Sequence, residues 1–262
     1  MKSRCYYANP TGNITLLIPS SGQDNSFPDA GRLTALEPTV QQAGFLSAGG
    51  ADYDIALQMA GGEFCGNATL SAAAIFCMQT VRQAESRGPE IVRVKASGAA
   101  APVSVLITEE GQNRFRGTVS MPAPLEIISI PYENHTFPAV LFEGITHVIA
   151  PFPLPKATAE KAVRQICTAA GADALGIMQL ELEKRTLIPL VYVPKSGTLC
   201  WEGSCASGTT AVGAYLRNKY GPGKWSFLEP EGTLTIEAPA DGRLLLTGTV
   251  SIEERFFDFS LL

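Results

Sequence analysis

Two cysteines, Cys65 and Cys205, each stand directly before a stretch of small and apolar residues of helical length. Aligned at the cysteine, the two segments are EFCGNATLSAAAI and GSCASGTTAVGAY, with small residues at +1 and +3, a short polar residue at +2, Thr at +4 and Ala at +9. The first backbone amides of a helix lack partners within the helix and favour anions. The spacing therefore predicts two cysteines of lowered pKa, each beside amides that can hold a carboxylate.

Two helix starts of this kind predict proton transfer at the carbon next to a carboxylate. One cysteine, as a thiolate, removes the α-hydrogen, and the other, as a thiol, returns a proton to the opposite face, so the centre inverts. Charge that develops on the carboxylate then meets preorganised backbone donors. This chemistry needs no cofactor, and none is expected. The expected donors are the amides of Gly66, Asn67, Ala206 and Ser207.

Three further residues are weighed as parts of the same site. Glu202 precedes Cys205 by three residues among otherwise apolar neighbours, which favours a place in the pocket. His147 lies in a strand-like run and fits a packed core histidine and a pocket wall equally well. Asn13 follows a glycine in NPTGN, a sequence that a simple turn also explains. Cys200 and Cys205 lack the spacing and the histidine partners of a zinc site, so no metal is expected.

The elements around these residues are mostly strands, since short apolar runs recur between turn signals. The cysteine unit recurs after 140 residues, which predicts an α+β protein of two duplicated halves, each a sheet around a central helix. The halves are predicted at 1–117 with 249–262 and at 118–248, connected around Pro122–Pro131. Helices are predicted over Ala68–Val81, Thr158–Ala170 and Gly208–Asn218, and strands over Ile14–Ile18, Asp54–Leu57, Ile91–Lys95, Val103–Thr108, Arg116–Ser120, Leu187–Val193, Leu234–Glu237 and Leu244–Thr249.

Composition excludes several classes of function. The 262 residues carry 20 Lys and Arg against 25 Asp and Glu, a net charge of -5, which argues against a nucleic-acid partner. The apolar run near the N-terminus is too short for a secretory signal, and the uncharged stretch Phe64–Val81 contains too many polar residues for a membrane span. The six cysteines show no disulfide framework. We therefore expect a soluble, cytoplasmic protein with free thiols and no membrane partner.

Several segments together resemble the diaminopimelate epimerase family, which is related to the proline racemases. The likeness covers nearly the whole chain: GGEFCGNATLSAAAI, WEGSCASGTTAVGAYL, the opening ANPTGNITLLI, GIMQ and the closing LTGTVSIEERFFDF. The resemblance implies two pseudo-symmetric halves, each a barrel-like sheet around a central helix, with the active site in the cleft between them. It implies PLP-independent inversion of an amino acid α-carbon by Cys65 and Cys205, and it places Asn13 and Gln42 in the substrate pocket.

Within this superfamily the chain most resembles the histidine racemases of metallophore biosynthesis, which have similar cysteine strings and a similar NPSGN opening. Gln41 stands where that branch leads us to expect an acidic residue. In diaminopimelate epimerases, asparagines and a Glu-Arg pair hold the far end of the substrate. Those positions are Ile145, Ala174, Val193 and Pro194 here, and none can bind a charged group. Histidine is therefore the leading substrate candidate.

Two other functions stay open at this point. The first is an epimerase of diaminopimelate or of another amino acid. The second, from a different class, is an amino acid binding protein without catalysis, although such a protein gains little from two thiols at the substrate carbon. Isomerases of the related phenazine-type fold are disfavoured because they lack the cysteine pair. The expected partner is a small amino acid substrate, and the sequence leaves open whether the protein is a homodimer.

Overall fold

The computed structural model describes residues 2–20, 39–81 and 89–258. Strands dominate these residues, which confirms the predicted α+β class. The helices are α1 (Gly66–Val81), α2 (Lys156–Ala170) and α3 (Ala206–Tyr220). The strands are β1 (Lys2–Pro10), β2 (Thr15–Pro19), β3 (Gln42–Ala48), β4 (Ile55–Met59), β5 (Glu90–Ala96), β6 (Val103–Gly111), β7 (Arg114–Met121), β8 (Glu126–Tyr132), β9 (His135–Phe142), β10 (Ile145–Ala150), β11 (Leu175–Glu181), β12 (Thr186–Val193), β13 (Thr198–Trp201), β14 (Gly223–Glu229), β15 (Gly232–Ala238) and β16 (Leu244–Asp258).

The chain forms two compact units. The first consists of Met1–Ser120 together with Thr247–Leu262, and the second of Met121–Leu246. Strand β16 therefore begins in the second unit and continues into the first. The segment Pro122–Pro131, predicted as a connection, is partly strand, because β8 begins at Glu126. The domain limits drawn from the sequence stay a prediction.

The sheet of the first unit closes on itself. Its strands follow the order β1-β2-β3-β4-β5-β6-β7-β16, and β16 pairs again with β1. The pairs β2–β3 and β4–β5 are parallel, whereas β1–β2, β3–β4 and β5–β6 are antiparallel. The first unit is thus an eight-stranded barrel.

The second unit repeats this pairing pattern. Its strands follow the order β8-β9-β10-β11-β12-β14-β15, with β13 attached to β12. The pairs β10–β11 and β12–β14 are parallel, and β9–β10, β11–β12 and β14–β15 are antiparallel. In each unit the cysteine helix lies along the chain between the fourth and fifth strands of this pattern, and in the second unit β13 precedes it there. The predicted pseudo-symmetric halves are therefore confirmed.

Each cysteine helix packs against the strands of its own unit. Helix α1 contacts β1, β4, β5 and β6, and α3 contacts β9, β10, β11, β14 and β15. Close approach requires glycine on one side of the contact: a Cβ at Gly117 of β7 would overlap Leu70 of α1, and a Cβ at Gly213 of α3 would overlap Ile236 of β15. Small residues therefore let a helix be enclosed by a sheet, which explains the Ala-rich and Gly-rich composition of both segments.

The three predicted helices and eight predicted strands are all present, with ends that differ by at most three residues except in β16, which continues beyond Thr249 to Asp258. Lys161 and Arg164 of α2 are exposed, and Ala162, Val163 and Ile166 on its other face are buried. None of the helices in the described ranges is long and apolar enough to cross a membrane.

The contact between Gly213 and Ile236 yields a stability prediction. Alanine favours a helix over glycine by about 1 kcal/mol, but the added methyl group must displace a fully buried isoleucine, and overpacking costs about 1–3 kcal/mol. Gly213→Ala should therefore lower the free energy of unfolding in urea titrations. Gly111→Ala is the control, because a Cβ there meets no atom within 4 Å. Equal or greater stability of Gly213→Ala would show that α3 does not need this close contact.

Candidate active site

Cys65 lies immediately before α1 and is hydrogen-bonded to residues of the first unit. Its thiol donates to Gln42 Oε1 at 3.3 Å, and its sulfur accepts from the amide of Ala68 at 3.4 Å. The carbonyl of Cys65 accepts from the Thr69 amide at 2.9 Å and from the Thr69 hydroxyl at 2.7 Å. The side chain is half-buried. The sulfur is therefore held at the helix start without being sealed off.

Two of the predicted pocket residues are linked to this cysteine. Gln42 uses its amide nitrogen to donate to Asn13 Oδ1 at 2.6 Å and to Thr15 Oγ1 at 3.0 Å. Its amide oxygen is thereby turned toward the Cys65 thiol. Gly66 and Asn67 form the buried first turn of α1. The first unit thus brings together all five site residues predicted in it.

Cys205 is the N-cap of α3. Its backbone is extended, with φ -130° and ψ 104°, and its sulfur accepts from the Gly208 amide at 3.4 Å. Its sulfur also lies 3.6 Å from Ser207 Oγ. A Cβ at Gly208 would overlap the end of the Met178 side chain, so a larger residue at the third position of this turn would require Met178 to move. Cys205 is only 5% exposed, and Ala206 is buried beside it.

Two carboxyl groups neighbour Cys205, that of the half-buried Glu202 and that of the buried Glu229. Glu202 was predicted in the pocket; burial raises its pKa to about 7, and a hydrogen bond with Cys205 opposes that rise. Its Oε2 is buried without a hydrogen-bond partner in the described part of the chain. Glu229 has a pKa raised to about 8, again chiefly by burial. Charge on either group disfavours a thiolate between them.

The prediction that helix α3 lowers the pKa of Cys205 is wrong. Burial raises the pKa of this thiol well above 9.0, and Glu202 and Glu229 raise it further, while the hydrogen bond with Ser207 lowers it. The helix start favours an anion, but loss of solvent around the sulfur and two neighbouring carboxyl groups outweigh it.

His147 lies on β10 and is fully buried. Its Nε2 is 2.9 Å from Ser207 Oγ, and a Cβ at Gly176 would overlap its Nδ1. Burial lowers its pKa to about 3, so the ring is neutral. Of its two predicted roles, full burial favours the packed core histidine, and this one contacts a residue of the first turn of α3.

In diaminopimelate epimerases, polar residues bind the charged far end of the substrate. The apolar residues at those positions in this chain lie at one end of three neighbouring strands. Ile145 begins β10, and the next amide, that of Thr146, donates to the carbonyl of Ala174 at 3.0 Å. The residue after Ala174 pairs with Tyr192 of β12, next to Val193. The strand ends thus bring Ile145, Ala174 and Val193 to a common edge of the sheet.

Sequence analysis missed Glu229, which ends β14. The signal was available in the alternation of that strand, where Phe227 and Glu229 face inward and Leu228 faces outward. A carboxylate at an inward position of a strand is unusual and indicates a specific partner. In residues 2–20, 39–81 and 89–258, no group of three or more His, Cys, Asp or Glu side chains is arranged to hold a metal ion.

The buried neutral His147 predicts how stability depends on pH. Its pKa is about 3 in the folded protein against 6.5 for the free side chain, so the unfolded chain binds the extra proton first. The stability linked to this group is present above pH 6.5 and is lost as pH falls toward 3. The free energy of unfolding of His147→Gln, measured against that of the unchanged protein, should therefore rise by about 1.4 kcal/mol per pH unit on acidification. His135→Gln changes an exposed histidine and is the control; parallel pH curves for the unchanged protein and His147→Gln would contradict the burial argument.

Comparisons with known proteins, by family model, by sequence and by fold, each match most of the chain. Residues 5–254 match the family model described as the histidine racemase CntK N-terminal domain. A histidine racemase of Fusobacterium nucleatum subsp. nucleatum (strain ATCC 25586) is 30% identical over 234 residues, 86% of this chain and 85% of that protein. A histidine racemase of Staphylococcus aureus (strain Mu50) is 27% identical over 221 residues, 79% of this chain and 77% of that protein. In fold, the chain is similar to a hydroxyproline epimerase from Agrobacterium vitis, with a TM-score of 0.68, 13% identity, and coverage of 98% of this chain and 92% of that one.

Proposed function

Since the chain belongs to the histidine racemase family, we propose that it inverts the α-carbon of free histidine by proton transfer between Cys65 and Cys205. The chain is an amino acid isomerase of the racemase and epimerase type, which confirms the resemblance found in its sequence. The observation that carries the two-cysteine mechanism is the repeated turn, in which each sulfur accepts an amide hydrogen bond of 3.4 Å from the third residue of its helix.

The reaction divides into two proton transfers at one carbon. A thiolate on one cysteine removes the α-hydrogen, so that an S–H bond forms as the Cα–H bond breaks and the electron pair spreads onto the carboxylate. The thiol of the other cysteine then protonates the opposite face and is left as a thiolate. The product is the enantiomer, and the two sulfurs have exchanged protonation states. No external acid or base is consumed.

Backbone amides are the proposed binding groups for the substrate carboxylate. Gly66 and Asn67 open α1, and Ala206 and Ser207 open α3, where amides of the first turn lack partners within the helix. These donors are fixed before charge builds up on the carboxylate, so they stabilise the carbanion more than the ground state. The small side chains at the first position of each helix let a ligand approach the backbone closely.

Polar side chains near each cysteine are the proposed partners of the substrate ammonium group. The buried Oε2 of Glu202, which accepts no hydrogen bond within the described residues, offers an acceptor next to Cys205. The amide oxygen of Gln42 and the side chain of Asn13 offer further polar groups next to Cys65. An ammonium group also lowers the cost of burying the Glu202 charge.

The substrate side chain is proposed to lie at the apolar strand edge formed by Ile145, Ala174 and Val193. A neutral imidazole loses little solvation there, whereas the distal ammonium and carboxylate of diaminopimelate would be left without partners. Gln41, which stands where an acid was expected, uses its amide to donate to Gly12 O at 3.3 Å, so an acidic side chain at that position is not part of the proposal.

A reaction that depends on two thiols also limits the cellular compartment in which the enzyme can work. Cys167, Cys200 and Cys205 are free thiols. A reducing compartment keeps thiols in this state, and we therefore place the enzyme in the cytoplasm. Its proposed partner is the small amino acid substrate.

Isotope exchange tests the two-cysteine mechanism. In heavy water, the first D-histidine formed from L-histidine should carry solvent deuterium at the α-carbon, while unreacted L-histidine stays largely unlabelled, because the proton delivered is not the proton removed. Cys65→Ser and Cys205→Ser should each reduce racemisation by about 10²–10⁴-fold, since serine is a poor base at neutral pH. Mass spectrometry of the separated enantiomers measures both effects.

The control for these variants is Cys200→Ser, a half-buried cysteine outside the proposed machinery, which should keep its racemisation rate. D-Histidine that retains the hydrogen of the substrate would show a single base acting on both faces. Near-normal racemisation by Cys65→Ser or Cys205→Ser would instead move the reaction to other residues.

A substrate panel tests the identity of the amino acid. L-Histidine should be racemised in the presence of a chelator and without added pyridoxal phosphate, and LL-diaminopimelate should be converted at least about a hundredfold less efficiently, because its distal charges find no partners. Chiral chromatography measures each product. Conversion of diaminopimelate at a comparable rate would restore the epimerase alternative.

A further inference from the structure

Glu229 is a buried carboxyl group that brackets the first turn of α3. It is 2% exposed, and its Oε2 accepts from the Cys205 amide at 2.8 Å. Its Oε1 accepts from the hydroxyl of Thr209, which is fully buried one turn further along the helix. A single side chain therefore fixes both ends of the turn that carries the Cys205 sulfur.

A carboxyl group in this position needs a reason, because removing it from water is costly. Its contacts supply part of that reason, since both of its oxygens accept hydrogen bonds at the helix start. The strand that carries it is tied to the same loop: the amide of Glu231 donates to the carbonyl of Gly203 at 3.0 Å. The end of β14 and the turn before α3 are thus one hydrogen-bonded structure.

The cysteine turn of the first unit achieves the same geometry with neutral groups. Thr69, at the position of Thr209, donates its hydroxyl to the carbonyl of Cys65 and not to a carboxylate. The strand after α1 ends next to Ser97, whose hydroxyl donates to the carbonyl of Glu63 at 2.8 Å. A helix start of this type can therefore be built without Glu229, so the carboxyl group has a role beyond holding the backbone.

We propose that Glu229 is a positioning residue of the racemase reaction, which fixes Cys205 at the start of α3 and places against it a carboxyl group that favours the thiol over the thiolate. The proposal rests on the proposed function. Cys205 then begins the cycle as the proton donor, and Cys65, once it has lost the proton that it donates to Gln42, acts as the base in the first turnover. The two cysteines occupy equivalent positions in the two units but have different roles before substrate binds.

The surroundings of Cys205 support this assignment, since burial of the sulfur is the largest cause of its raised pKa and both neighbouring carboxyl groups raise it further. The titratable groups that face Cys205 are Glu202 and Glu229, and both favour the thiol. Burial raises the pKa of Glu229 to about 8, so it becomes an anion only in alkaline solution, where Cys205 would otherwise begin to ionise. As the pH rises toward the pKa of the Cys205 thiol, the neighbouring Glu229 loses its own proton. The negative charge that results opposes ionisation of the thiol.

Alkylation by iodoacetamide without substrate tests the proposal independently of catalysis. The rate at each cysteine is followed against pH by mass spectrometry of peptides. In the unchanged enzyme the midpoint for Cys205 should lie above that for Cys65. Glu229→Gln keeps an acceptor for the Cys205 amide and removes the charge, so it should lower the Cys205 midpoint by about half a pH unit or more and leave the Cys65 midpoint in place.

Two further variants separate charge from architecture. Glu231→Gln makes the same change at an exposed neighbour and should move neither midpoint. Glu229→Asp keeps the charge and shortens the reach, so the Cys205 midpoint should stay high while kcat for histidine falls about tenfold or more, as expected for a displaced reacting group. Thermal unfolding checks that each variant is folded.

Each outcome of these experiments either supports or contradicts the role proposed for Glu229. An unchanged Cys205 midpoint in folded Glu229→Gln would reduce Glu229 to a structural cap. If both Glu229 variants fail to fold, the order of the two midpoints in the unchanged enzyme decides, and a lower midpoint for Cys205 than for Cys65 overturns the proposal. Because alkylation needs no turnover, absence of histidine racemisation would count against the proposed function and leave this test intact.

Discussion

One backbone hydrogen bond, made twice, fixes both cysteines. The amide of Thr69 donates to the carbonyl of Cys65, and the amide of Thr209 donates to the carbonyl of Cys205, each at 2.9 Å. This bond starts the helix at the cysteine, so the sulfur lies beside the first-turn amides instead of one turn away from them. The small residues of both helices and the glycines that face them follow from the need to enclose such a helix start within a sheet.

The two units have the same backbone arrangement at the cysteine but surround Cys65 and Cys205 with different groups. Cys65 is half-buried and contacts an amide side chain, whereas Cys205 is sealed from solvent beside two carboxyl groups. Duplication supplies matched backbone geometry, and the residues outside the repeated segment supply the difference. A reaction that needs one base and one acid at a single carbon benefits from this combination, because identical sulfurs would compete for the same role.

The sequence predicted the fold and the cysteine turns because both leave local patterns. Strand alternation, the small-residue helices and the recurrence after 140 residues are visible without any contact information. Asn13 and Gln42 came from resemblance, and their link through a hydrogen bond of 2.6 Å depends on strand pairing that no local pattern encodes. The pKa of Cys205 was mispredicted for the same reason: Glu229 is 24 residues away along the chain and reaches the helix start only through the sheet. Burial of a site is a property of the whole fold, and a helix-start argument taken alone ignores it.

The pairing of β1 with β16 has a consequence for how the chain acquires its structure during synthesis. The register runs from Lys2↔Asp258 to Pro10↔Val250, so closure of the first barrel joins segments from opposite ends of the sequence. The second unit is continuous from Met121 to Leu246 and is therefore synthesised before β16 is complete. Such a long loop slows closure, since its entropy must be lost before the strand pairs are gained. Until then one edge of β1 is a template for pairing with other chains, and the part of the protein that is made first is the last to be finished.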